Sequence, residues 1–227
     1  TTTFTESPNP SADLDQCING QTSSPSDCID APGPLGWENG NAGDSQAHYV
    51  EGFSVPYRVK MIELPTDGTV ITIDIGYDIK HGGKHAIDYL TYYDRLEPHG
   101  SFGHAAEAVD PTSGVSGLSG TTTTFAIPAP SSSGSPVAGQ PTNSFNSLPA
   151  SERLMTLFGG TITNVSYVSQ GDLTANQAET IIRVTFTADS ATAVLAWGGH
   201  IAKSADWGAG NSATSISGSP YHMRLED

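Results

Sequence analysis

The sequence predicts an all-β protein: an antiparallel β-sandwich or jelly roll behind an extended N-terminal arm. Three observations carry this. Apolar residues recur at every second position in residues 54–64, 69–79 and 179–188 and again near the C-terminus, the spacing that lines one face of a strand. The 25 Gly and 15 Pro concentrate between these runs, where the chain must turn. Nowhere does a 3.6-residue apolar period persist over a convincing helix length. With 36% apolar residues in 227, the chain can bury roughly 70% of its unfolded surface, enough for one core. An all-β chain can use that whole length as a single domain.

Residues 1–36 read as the arm. They hold Pro8, Pro10, Pro25, Pro32 and Pro34 but few large apolar side chains, the composition of loop and polyproline conformation. The opening Thr1, Thr2, Thr3, Phe4 and Thr5 is rich in β-branched residues and reads as a short strand. The sandwich domain then spans residues 37–227. In residues 54–64, Val55, Tyr57, Val59 and Met61 share a face. In residues 69–79, Ile71, Ile73, Ile75 and Tyr77 do so. Pro65, Thr66, Asp67 and Gly68 form a turn between them, and the two runs are expected to pair as a hairpin. Residues 86–96 fit either a strand or one helical turn. Residues 98–150 are a long insertion rich in Ser, Thr, Gly and Pro, a length uncommon inside a compact domain. One short turn is expected near residues 149–155. Three strands follow at residues 157–168, 179–188 and 192–201, the last two joined by a hairpin turn at Asp189 and Ser190. Residues 202–219 are a Gly/Ser/Ala loop carrying Trp207, and Tyr221, Met223 and Leu225 alternate in a terminal strand.

Charge limits the partners. Nine Lys+Arg against 24 Asp+Glu give a net −15 without a basic cluster, which argues against nucleic acid and anionic membranes. No apolar run reaches 18 residues, so no transmembrane helix is expected. The two cysteines, Cys17 and Cys28, lie in a segment too poor in apolar residues to hold itself. They are expected to pair in an oxidising compartment. An opening on Thr1 rather than Met fits a secreted chain that has lost its signal peptide.

A longer string runs from Ala193 to Met223, AVLAWGGHIAKSADWGAGNSATSISGSPYHM. Upstream lie HGGKHAIDYLTYYDR and NGNAGDSQAHYVEGFSVPYRV. Together they resemble a domain of unassigned function in large secreted bacterial surface proteins, including adhesin-like chains, over roughly residues 37–225. The resemblance implies an extracellular β-sandwich and implies no catalytic activity. Here the domain stands nearly alone behind its N-terminal extension, so a repeating single-domain subunit is expected rather than a module of a long chain.

Each site candidate has a plainer competitor. His81 and His85 in KHGGKH, with Asp88 three residues on and His99 and His104 following, are residue types that bind Zn²⁺ or Cu²⁺. The motif is not helical, so an i,i+4 pair does not form, and the plainer reading is a turn in which these side chains satisfy backbone groups. Asp13, Asp15, Asp27 and Asp30 offer oxygen ligands for Ca²⁺ but lack a DxDxDG pattern and read as a solvated acidic loop. No GxSxG or HExxH occurs, and no cofactor or enzymatic activity is assigned. Trp197 and Trp207 with Tyr92, Tyr93 and Tyr221 offer a sugar-stacking platform, although Trp197 sits in an apolar run and reads as core, leaving Trp207 as the exposed ring. Asn164 heads the one Asn-x-Ser/Thr sequon, and Thr121, Thr122, Thr123 and Thr124 suit O-glycans. The expected function is a non-catalytic subunit of an extracellular filament or surface matrix. It would polymerise with copies of itself by donating the strand Thr1, Thr2, Thr3, Phe4, Thr5. The alternative is a glycan-binding adhesin module.

Overall fold

The computed structural model describes residues 9–29, 36–40, 42–43, 45–96, 99–218 and 221–226. The strands in chain order are β1 Ser11–Ile18, β2 Gly20–Gln21, β3 Ser24–Pro25, β4 Gly36–Glu38, β5 Ser54–Ile62, β6 Ile71–His81, β7 Lys84–His85, β8 Ile87–Thr91, β9 Thr122–Ala126, β10 Leu154–Phe158, β11 Gly160–Ser169, β12 Ala178–Ala188, β13 Ala193–Ile201 and β14 Met223–Glu226. Two short helices, α1 Thr142–Ser147 and α2 Ser204–Trp207, lie in the connections. The first sheet runs β4-β1-β5-β13-β10-β9, with β8 sharing the edge of β13 that β10 occupies. The second runs β11-β12-β6-β14, with β7 folded back on the end of β6. Every ladder between these strands is antiparallel. The expected all-β sandwich is the observed fold.

The core lies between the inner faces. Tyr57, Val59 and Met61 of β5 and Leu195 and Trp197 of β13 come from one sheet; Ile75, Tyr77, Ile182, Val184 and Phe186 come from the other. Tyr57 and Trp197 stack with centroids 6.2 Å apart.

The two expected hairpins are corrected. β5 and β6 do not pair: β5 lies between β1 and β13, and β6 lies between β12 and β14. Likewise β12 and β13 fall in opposite sheets. A turn sequence such as PTDG reverses the chain but does not say whether the reversal stays within a sheet. Here Leu64 is buried and donates its N–H to Ala191 O at 3.0 Å, so the chain arches across the core instead of folding flat. Residues 157–168, expected as one strand, are also two strands in different sheets. The break is Gly159, at φ 89°, in the left-handed region that favours glycine. A Cβ there would meet Thr192 O at 2.7 Å. Asp189 donates its N–H to Gly159 O, and Gly159 donates to Thr121 O, so the arches abut one another at one end of the sandwich.

The arm is corrected in part. Residues 11–18, expected as loop, form β1 between β4 and β5, with Asp15 opposite Arg58. The acidic residues masked the strand: Asp15 is buried because Arg58 Nε donates to it at 2.9 Å. The segment Thr1, Thr2, Thr3, Phe4, Thr5 lies outside the described residues. Within the expected insertion 98–150, Thr122–Ala126 forms the edge strand β9, α1 is an unanticipated helix, and the expected turn is the 3₁₀ turn Ala150–Glu152. Residues 86–96 resolve as β8, whose five residues are all buried; a strand covered on both faces shows no alternation. The terminal strand β14 is the sandwich's own, paired to β6.

Candidate functional site

The Cys17–Cys28 pair forms a disulfide with Cα atoms 5.4 Å apart. It packs against Trp37, and Cys28 exchanges backbone hydrogen bonds with Ala108 and Asp110. The N-terminal region and the residue 98–150 segment are thereby joined.

The expected metal trio does not converge. His81 ends β6 half-exposed, with Nδ1 4.0 Å from Asp78 and its ring edge-on to His222. His85 is buried and stacks on Trp207, 3.5 Å between centroids. Burial, then the nearby Lys80, lowers its pKa to about 4, so the ring is neutral near pH 7. Asp88 Oδ1 lies 2.6 Å from His200 Nδ1, and Asp88 Oδ2 accepts from Trp207 Nε1 at 3.0 Å. The competing reading, in which these residues satisfy internal groups, describes His85 and Asp88.

Asp88 belongs to a buried network drawn from two strings more than 100 residues apart. His200 Nε2 donates to Gly52 O at 3.1 Å, and Tyr89 stacks on the His200 ring at 4.1 Å. The Tyr89 hydroxyl meets Ser144 Oγ, which donates to Asp206 Oδ2 at 2.6 Å. Asp88 and His200 form an acid–imidazole dyad, but the second imidazole nitrogen faces a backbone carbonyl, where a relay would need a hydroxyl or thiol to activate. The network fixes α2 and the loop after β13 over the sheet. Glu51 clamps the same loop from outside, accepting from Ser204 and Thr214 through backbone and side chain.

The other sequence candidates separate. Trp207 is buried, not exposed, and Trp197 is core, so the pair presents no stacking platform; Tyr92 and Tyr93 are half-buried and adjacent to each other, 4.3 Å between centroids. Asp15 is held by Arg58 and Lys60, Asp13 by Lys60 and Asn39, and Asp27 accepts from Ala108 N–H; Asp30 lies outside the described residues. Asn164, Thr122 and Thr124 are exposed, whereas Thr121 is half-buried and Thr123 donates its hydroxyl to Gly160 O.

Two surface clefts border the buried network and the seam between the sheets, and a third, about 380 Å³, is lined by Arg95, Glu152, His99 and Glu107. The largest, about 440 Å³, has Tyr77, Asp88 and Thr180 at its base and residues 131–135 along its rim. A smaller one, about 140 Å³, opens between the sheets where Leu14 and Tyr57 face Met223. There the seam is spanned by Tyr57 Oη donating to Tyr221 O. The opposite seam is tied by Thr123 Oγ1, which donates to Gly160 O and accepts from Ile162 N–H.

The fold also assembles a group that the sequence reading did not. His99 and His104 meet His48 and the buried Glu107. The HxxE spacing of His104 and Glu107 was a visible signal. Nothing local pointed to His48, which reaches the group only through folding. Among the described residues, no helix is long and apolar enough to cross a membrane. No protein-family model, curated protein or solved structure matches the chain, so the resemblance to surface-protein domains rests on the quoted strings alone.

Proposed function

We propose that this chain is a non-catalytic structural subunit of an extracellular filament or surface matrix, polymerised by strand donation. The observation that carries the reading is the open seam of the sandwich. Its border, β14, is a four-residue edge strand paired to β6, and beside it lies the cleft of Leu14, Tyr57 and Met223. An edge strand presents backbone N–H and C=O groups to an incoming strand. The donor is Thr1, Thr2, Thr3, Phe4, Thr5 of a second copy, with Phe4 entering the cleft. The alternating C-terminal strand β14 would be the other donor, but it is already engaged in its own sheet, which favours the N-terminal segment. Donation repeated head to tail without closing a ring gives a filament. The disulfide fits an oxidising compartment, and exposed Asn164, Thr122 and Thr124 are the acceptor positions for surface glycans.

Deletion of residues 1–8 leaves β1 whole and tests the proposal. The truncated chain is expected to stay folded by circular dichroism and to run as a monomer where the full chain assembles. A peptide of sequence TTTFTESPNP should then bind it, and Met223→Lys should abolish that binding. Assembly of the truncated chain to normal length would overturn the proposal.

A further inference from the structure

We infer that His48, His104 and Glu107, with His99 beside the carboxylate, form a binding site for a divalent transition-metal ion, Zn²⁺ foremost. It is independent of the filament reading. Glu107 is the centre: its side chain is 2% exposed, and neither carboxylate oxygen accepts a hydrogen bond of normal geometry. Three imidazoles surround it. His99 Nδ1 lies 2.8 Å from Oε2, His104 Nδ1 lies 3.2 Å from Oε1, and His48 Nε2 lies 3.4 Å from Oε1.

The outer contacts set the tautomers. His48 Nδ1 lies 2.7 Å from Gly20 O, so Nδ1 carries the proton and, in the neutral ring, Nε2 turns a lone pair toward the carboxylate. His104 differs: the Nδ1 that lies 3.2 Å from Oε1 is also 2.8 Å from Ala105 O, so Nε2, buried without a hydrogen-bond partner, is the nitrogen left to bind an ion. Backbone carbonyls that hold one imidazole N–H while the other nitrogen points inward are the usual support of metal-binding histidines. The His48 lone pair facing a buried carboxylate is repelled by it, and a cation between them turns that repulsion into coordination. Two imidazoles and one carboxylate, with ligand atoms all within 4.8 Å of one another, supply three of the four positions of tetrahedral Zn²⁺, and imidazole selects such ions over Mg²⁺ or Ca²⁺. Phe102 shields the group, its ring 5.4 Å from His48 and 5.9 Å from His104.

The site joins distant segments. His48 precedes β5 and also donates its backbone N–H to Asn19, while His99, His104 and Glu107 begin the long connection between β8 and β9. A bound ion therefore pins that connection beside the disulfide. The second His/Asp group, Asp78, His81 and His222, is a poorer candidate. Asp78 is paired to Arg224 Nη2 at 2.6 Å and to His222 at 2.9 Å, and both histidines are about one-third exposed.

The test uses the full chain, stripped with a chelator and dialysed against Zn²⁺, with bound metal read by elemental mass spectrometry. One Zn²⁺ per chain is expected. Glu107→Ala and His104→Ala should weaken binding by more than about 100-fold, beyond the 10–100-fold typical of an outer-shell change; His81→Ala should leave it intact. Co²⁺ in the unmodified chain should give the intense visible bands of a tetrahedral site. If the alanine variants fail to fold, Glu107→Gln decides, since it keeps the shape and removes the charge. Absence of stoichiometric binding, binding that survives Glu107→Gln, or loss in His81→Ala would each overturn the inference.

Discussion

Arg58 ties the N-terminal strand and the long connection to the sheet, and replacing it should expose how much the domain depends on that junction. Arg58 is fully buried. Its Nε donates to Asp15 at 2.9 Å, its Nη1 donates to Pro111 O at 3.0 Å and Ser113 O at 2.7 Å, and its guanidinium lies 4.8 Å over the Trp37 ring. Arg58→Met keeps the apolar stem and removes these contacts together. Asp15 retains Lys60 at 3.1 Å, which compensates part of its charge. Breaking a buried ion pair from one side costs about 3–5 kcal/mol, a range that also covers the loss of the Arg58 donor to the two carbonyls. For a domain of this size each kcal/mol moves Tm by about 2–4 °C, so a fall of roughly 6–20 °C is expected in a calorimetric or circular-dichroism melt. Arg58→Lys should not restore it, because an ammonium cannot reproduce the planar fork that reaches a carboxylate and two carbonyls. A double-mutant cycle with Asp15→Asn should show the two losses to be coupled. A fall below about 1 kcal/mol for Arg58→Met would refute the reasoning, since that is the cost of an exposed pair.

Two further outcomes follow from the structure. Burial raises the Glu51 pKa, but hydrogen bonds from Ser212, Thr214 and Ser204 outweigh it and lower the value from 4.5 to about 2. A depressed carboxylate stabilises the fold above its unfolded pKa and loses that contribution as pH falls toward the folded value. Melts between about pH 5 and pH 2, the span from the unfolded to the folded value, should therefore fall more steeply for the unmodified chain than for Glu51→Gln, and parallel curves would contradict the clamp. Replacing both Cys17 and Cys28 with Ala releases a loop of about 12 residues, worth roughly 3 kcal/mol on the chain-entropy model. An unchanged melting temperature would show that the surrounding packing alone holds the junction.

The sequence by itself determined which segments are strands wherever one face is buried and the other wet. Residues 71–81, 178–188 and 223–226 alternate because each lies on a sheet with one face on the core, and that period is local. It failed where tertiary partners changed the meaning of a residue. Asp15 reads as a loop residue until Arg58 is placed opposite it, and β8 loses its alternation because both faces are covered. Turn chemistry marked residues 65–68 and 189–190 as reversals but left open whether each stays within a sheet; the arches were decided by Leu64 bonding to Ala191 and by the neighbouring bonds at Gly159. The sites divide in the same way. The disulfide was legible because its two cysteines are close in sequence. His81, His85 and Asp88 were equally close, yet their side chains joined different neighbours. Only folding brought His48 across more than 50 residues to Glu107, since convergence from separate segments leaves no spacing in the chain.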